Sequence, residues 1–289
     1  MWMNRARRNP MRSPIASLKA SVCICVVAIV LLPVSAHGQA AKEIPGAKLM
    51  APRAMQPVCE SSTAVNIDPK GNFQCTVCPS YTDFRGNREP FDLRAVYQGH
   101  FSTTDTEQLL LALNGCESHA SGYGGAILLT RDRTAWKKSA YFKGDNATNC
   151  LSFQAGDGLN RLVCSAGDSH AGDSVYWIRG VSYKGNSLRQ EPLLDVGGNM
   201  GTGSPVARYC YDQNIGTLEK LPSGNGFRVV VTETRGLLPT GDDACGVTDI
   251  PMEPAQTLNL NFRFDGNHFA LTPESQASMQ EIKDFVPHP

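Results

Sequence analysis

Several catalytic signatures are missing from this sequence: it has no GxSxG elbow, no HExxH, no P-loop and no cysteine–histidine nucleophile pattern. Serine-hydrolase, zinc-protease and nucleotide-phosphate chemistry therefore have no motif to rest on. Beyond residue 36 there is no basic run, so the electrostatic footprint of a nucleic-acid binder is absent. Cys75-Thr76-Val77-Cys78 is a CxxC, yet no second CxxC completes a four-cysteine site and no thioredoxin-like βαβ pattern surrounds it. Those two cysteines read as structural. The apolar run Val22 to Val34 falls short of the roughly 20 residues that a membrane span needs.

That short run does have a role. Arg5, Arg7, Arg8, Arg12 and Lys19 precede it with no acidic residue among them, and the small-residue stretch Val34-Ser35-Ala36 follows. This order is that of a secretory signal peptide over residues 1–36, cleaved within 36–40. Removing it takes five of the 27 Lys+Arg and none of the 27 Asp+Glu, leaving 22 against 27, a net charge of −5. Eight cysteines remain: Cys59, Cys75, Cys78, Cys116, Cys150, Cys164, Cys210 and Cys245. An even number behind a signal peptide implies an oxidising compartment, a secreted or periplasmic location and up to four disulfides.

The remaining chain divides by composition. Residues 37–58 are rich in Ala and Pro without a sustained period and read as an exposed leader or linker. Residues 59–95 hold three cysteines and several turn signals, a disulfide-stapled segment. From 96 to 289 the text repeats itself. At an offset of 51 residues Leu111 falls on Leu162, Ser118-His119-Ala120 on Ser169-His170-Ala171, and Ile127 on Ile178. With one residue of slippage Phe101 falls on Phe153 and Asp105 on Asp157.

The repeat decides a local conflict. Thr104 to Gly115 has a capping box, good helix formers and an Asn-Gly stop, all of which favour helix. Its counterpart Asn160 to Cys164 and a third run, Phe227 to Thr234, are β in character, so all three are expected to be strands entered from a turn. The expected units are 97–141, 148–185 and 208–272. A turn is expected at Arg179-Gly180, a glycine-rich loop over 186–208, a hairpin at Asp265-Gly266-Asn267 and a short helix from Pro273 to Val286. The expected fold is mainly β: short antiparallel sheets in propeller-like repeats, as a partial propeller or a sandwich, with one short C-terminal helix.

The run of aspartate loop, apolar strand, polar loop, glycine and second strand, then aromatic strand, is carried by Gly99-His100-Phe101, Asp105 and LLLAL, then by Phe153, Asp157-Gly158 and LVC. It resembles the FG-GAP/VCBS type of β-propeller repeat. That resemblance implies calcium held in an aspartate-rich loop, here at Asp105 and Asp157, although each loop offers one carboxylate where such sites supply several oxygens. No other cofactor is implied. By analogy between the units, Cys210 is expected to pair with Cys245 and Cys116 with Cys150. Cys59 then takes Cys75 or Cys78, and Cys164 the other.

Glu117-Ser118-His119 and Asp168-Ser169-His170 occupy equivalent places, making Glu117, His119, Asp168 and His170 the candidate ligand-binding residues. The bland alternative is a repeated loop held by its own hydrogen bonds. Trp136, Tyr141, Trp177 and Tyr183 are either a carbohydrate- or peptide-binding surface or ordinary strand packing. The expected function is a secreted or periplasmic, disulfide-stabilised β-repeat binding module with no catalytic residue. Its partner would be an extracellular or envelope protein or carbohydrate. The alternatives are a hydrolase of cell-envelope polymers working through 117–119 and 168–170, and an all-β carrier of an apolar ligand.

Overall fold

The helix-like stretch QLLLALN is a strand, β5 (Gln108–Asn114), and its neighbours explain why. Leu109, Leu111 and Leu113 bury against one core, while Leu110 and Ala112 bury against another on the opposite face. Fully burying one such leucine is worth about 1.5–3 kcal/mol. Helix propensities among ordinary residues differ by at most about 0.7 kcal/mol each. A period-2 backbone that serves two cores at once therefore wins, and a strand covered on both faces reads as a continuous apolar run.

The computed structural model describes residues 42–43, 52–60, 65–67, 73–119, 124–145, 147–170, 172–201, 205, 208–239, 244–246 and 250–285, without the side chains of 42–43, 52–54, 65–67 and 170. The expected signal peptide lies outside the described residues. The fold is mainly β, with two antiparallel sheets. The first holds β1 (Lys42–Glu43), β2 (Val65–Ile67), β3 (Phe73–Cys75), β4 (Phe91–Gly99), β5, β6 (Gly124–Asp132) and β7 (Ala135–Lys143). Its order is β2-β3-β4-β5-β6-β7, and β1 also pairs with β4. The second holds β8 (Asn149–Gln154), β9 (Asn160–His170), β10 (Asp173–Lys184), β11 (Ser187–Gly198), β12 (Tyr209–Lys220), β13 (Gly226–Leu237), β14 (Gln256–Phe264) and β15 (Phe269–Leu271), each beside the next. A 3₁₀ turn (Pro273–Ser275) then leads into α2 (Gln276–Phe285), the short C-terminal helix.

The second sheet curls into a half-barrel. Phe153 of β8 meets Phe264 and Phe269 of β14 and β15 at ring-centroid distances of 5.7 and 5.2 Å. The Gly156 amide donates to the Gly266 carbonyl at 2.8 Å, joining the β8–β9 turn to the β14–β15 turn. Its strands consequently form two layers. β8–β10 share one core with β4–β7, built on Tyr97, Leu110, Leu162, Val181 and Tyr183. Their other face shares a second core with β13 and β14, built on Phe153, Val163, Ile178, Val229 and Phe262. Between the two halves, β11 and β12 are joined among the described residues by one register pair, Gly198 with Asp212. The expected hairpin is present: Gly266 takes φ of +101°, and Asp265 Oδ1 accepts from the Asn267 and His268 amides at 2.8 Å each.

Four expectations need correction. Residues 52–59 form a helix, α1 (Pro52–Cys59), which packs beside β2, β3 and β7 and whose Met55 and Val58 are fully buried in the core that holds Leu111 and Ile127, where the sequence reads as exposed linker. The turn expected at Arg179-Gly180 is a bulge within β10, which continues to Lys184. The loop expected over 186–208 is largely β11. Its glycines mark close backbone approach rather than flexibility: a Cβ on Gly197 would stand 2.3 Å from the Ser174 carbonyl oxygen.

The disulfides are the fourth. Cys210–Cys245 matches the expected pair and Cys59 takes Cys75, one of its two expected alternatives, but the others are Cys78–Cys116 and Cys150–Cys164. Cys150 and Cys164 stand directly opposite in the β8–β9 hairpin, so neither is available to the first unit. Cys116 lies beside the 78–90 segment instead, where its carbonyl accepts from the Phe84 amide at 3.1 Å. Four disulfides are the mark of an oxidising, extracellular or periplasmic environment.

Candidate functional site

His119 follows β5 and Asp168 lies near the end of β9, and the stacking of the sheets brings them together. His119 Nε2 is 3.1 Å from Asp168 Oδ2, with the two side chains 38% and 43% exposed. Glu117 does not join them. It turns inward to 2% exposure, where the Tyr141 hydroxyl donates to Oε1 and the Asp83 amide to Oε2 at 3.3 Å. Burial raises the Glu117 carboxyl above the ordinary range. Burial also pushes the Tyr141 hydroxyl well up, and the Glu117 carboxylate adds to the rise. Lys143 bonds Asp83 and holds its carboxyl well below the usual range. Ser118 Oγ donates to Asp83 Oδ2 at 3.0 Å, so the serine is engaged away from His119. The His170 side chain lies outside the described residues.

The calcium loops of the resemblance can be tested on their donors. Asp157 Oδ1 accepts from the Leu159 amide at 3.0 Å, and Oδ2 accepts from Arg161 Nη2 at 2.6 Å. A guanidinium thus sits where a calcium ion would have to bind, and Asp157 is lowered by its hydrogen bonds to Leu159 and Arg161 against the desolvation that opposes them. Asp105 touches Thr103 and Thr104 of its own loop. Among the described residues no group of three or more His, Cys, Asp or Glu could hold a metal ion. The donors at Asp105 and Asp157 do not fit the ion.

Two clefts have a different character. The first, about 270 Å³, lies between the end of β7 and the β9–β11 strands, lined by Asp145, Trp177, Arg179, Val181, Gln190 and the Cys164 half-cystine. Asp145 is 2% exposed, and burial raises it to about 6 against the pull of hydrogen bonds from Tyr183 and Gln190. The Tyr183 hydroxyl donates to Asp145 Oδ2 at 2.5 Å, and burial raises its own pKa. Arg179 is aimed by Asp195, at 2.5 Å, and by the Leu194 carbonyl, at 3.2 Å. Val181 and Gln190 face each other in register, which puts the β10 and β11 contributions on one face.

The second cleft, about 190 Å³, lies across the same two strands on their other face, between them and the β14–β15 turn. It is lined by Arg161, Ser182, Arg189, Glu191, His268 and Phe269, among others.

Sequence reasoning named Trp177 and missed the rest of both clefts. Lys143-Gly144-Asp145 reads as an ordinary polar turn, and nothing local says that the carboxyl will be enclosed. Residues of the second cleft come from four separate strands and a hairpin turn, so no spacing reveals them. Comparison with protein-family models, with curated proteins and with solved structures returned no match.

Proposed function

We propose that this protein is a secreted or periplasmic binding module for carbohydrate, and that the ligand sits in the Trp177 cleft. The observation that carries this reading is the lining. An indole offers a flat apolar face to the C–H face of a sugar ring, while Asp145, Gln190 and Arg179 supply planar donors and acceptors for its hydroxyls. At about 270 Å³ the cleft lies just below the roughly 300–1,000 Å³ of sites for drug-sized ligands, which suits one sugar residue of a longer chain. The body that carries it is three diverged copies of one four-stranded unit, β4–β7, β8–β11 and β12–β15. Supporting this, Leu111 and Leu162 both lie on second strands, and the second and third units meet at a one-pair seam.

Binding is favoured over hydrolysis because Asp145 is the one carboxylate among the described lining residues, and glycoside hydrolysis ordinarily uses two. The hydrolase alternative at 117–119 and 168–170 retains the His119–Asp168 pair, but Glu117 and Ser118 turn elsewhere. The test is a tryptophan-fluorescence titration with neutral and acidic oligosaccharides. Saccharide binding weakened at least tenfold by Trp177→Ala and unchanged by Trp136→Ala is the expected result. No binding of any saccharide, or binding indifferent to Trp177, would overturn the reading; capture of an envelope protein alone would replace it with a protein-binding module.

A further inference from the structure

We infer that the second cleft is a binding site for an oxyanion: a carboxylate, phosphate or sulfate group. The inference starts from an unfilled donor. Arg161 on β9 is 17% exposed, its Nη2 donates to Asp157, and its Nη1 is buried with no acceptor. A buried guanidinium N–H left without a partner costs more than an ordinary unmade hydrogen bond, and buried polar groups in native proteins are nearly all paired. Arg161 lines a cavity of about 190 Å³, room enough for an acidic group and its waters.

The other walls suit the same ligand. Arg189 on β11 and Ser182 on β10 are register partners, so both present to the same face. Asn267 and His268 come from the β14–β15 turn, which Asp265 holds by accepting from both their amides. Gly180 forms the floor. A Cβ there would stand 3.2 Å from Phe269 Cδ2 and 3.5 Å from Glu191 Oε2, so a larger side chain would crowd the cleft. The charged and titratable groups lining the cleft are Arg161, Arg189 and His268 against Glu191, whose Oε2 is 3.8 Å from His268 Nδ1; Asp157 enters only as the partner of Arg161. Lys220 lies behind the wall, 4.9 Å over the Phe153 ring. Asp157 is already consumed by Arg161 Nη2, which leaves Nη1 and Arg189 as the two cationic donors to an incoming anion. A planar guanidinium fork is matched to carboxylate and phosphate geometry.

The experiment is an NMR titration of the folded, disulfide-bonded protein with inorganic phosphate, sulfate and glucuronate, each at ionic strength matched with chloride. Saturable shifts confined to residues 180–182, 189–191 and 266–269 are expected, weakened at least tenfold by Arg161→Gln and several-fold by Arg189→Gln. Asp157→Asn is expected to tighten binding several-fold by relieving the competing acceptor, a gain that a merely structural arginine would not produce. If Arg161→Gln does not fold, the Arg189→Gln and Asp157→Asn variants still decide. Saturation by all three probes identifies a general oxyanion site, and saturation by glucuronate alone identifies an acidic sugar residue. Shifts that are unsaturable, or indifferent to all three substitutions, would overturn the site. Because the Trp177 cleft is read on the opposite face of β10–β11, loss of saccharide binding through Trp177→Ala leaves this outcome unaffected.

Discussion

Asp145 shows how much one enclosed carboxyl can do. Its folded value of about 6 lies above the ordinary 3.8, so between those pH values the folded chain keeps a proton that the unfolded chain has released. The stability linked to this group is therefore whole below about pH 4 and is lost as pH rises through 6. The ceiling on that loss is about 3 kcal/mol, at 1.36 kcal/mol per unit. Asp145→Asn keeps an acceptor for the Tyr183 hydroxyl and removes the titration. Urea unfolding at intervals from pH 4 to 8 should show the wild-type slope flattened in Asp145→Asn, with the variant the more stable above pH 6. An unchanged slope would mean that another group carries it.

Strands and hairpins explain which local signals prevailed. The capping-box pattern at Thr104–Glu107 caps no helix: Glu107 bonds Gln98 and Arg131 instead, and two cores claim the alternating leucines behind it. Cys150–Cys164 follows from register, since residues paired across a hairpin stand close enough to bridge. Closing a 14-residue separation is worth about 3 kcal/mol on the chain-entropy account. Replacing both cysteines by Ala should lower unfolding free energy by about that amount while β8 and β9 remain paired. Peptide mapping under non-reducing conditions checks the four links directly, and a Cys116–Cys150 peptide would contradict the hairpin bridge.

Across the whole molecule the weak place is the β11–β12 seam, where Asn199 acts as a suture. Its amide donates to the Tyr211 carbonyl at 3.0 Å, and its Oδ1 accepts from the Tyr211 amide at 2.7 Å. The Asn199 side chain serves the part-buried Tyr211 amide and Tyr209 carbonyl, so Asn199→Ala removes both partners at a cost of about 1 kcal/mol per hydrogen bond. Hydrogen exchange should then quicken in β11 and β12 before it does in β5 or β9. Uniform acceleration through all strands would show instead that the two halves open as one cooperative unit. The far end of the stack is finished by alternation: Leu260, Phe262 and Phe264 face the core, while Thr257, Asn259 and Arg263 face water, so β14 needs no further layer.

The β character, the strand at 108–114, the tight turn at 265–267, the C-terminal helix and the Cys210–Cys245 disulfide were legible in the sequence alone. Each of these follows from patterns of a few residues: alternation, turn chemistry, or copies of one unit laid over each other. Tertiary structure alone decided that Cys150 faces Cys164, that 187–198 is a strand, and that Glu117 turns away from His119. It also decided that Asp145 and Arg161 become enclosed. Those outcomes depend on which surfaces meet when the sheets stack. Burial and partnership are properties of that meeting, and no local spacing encodes them.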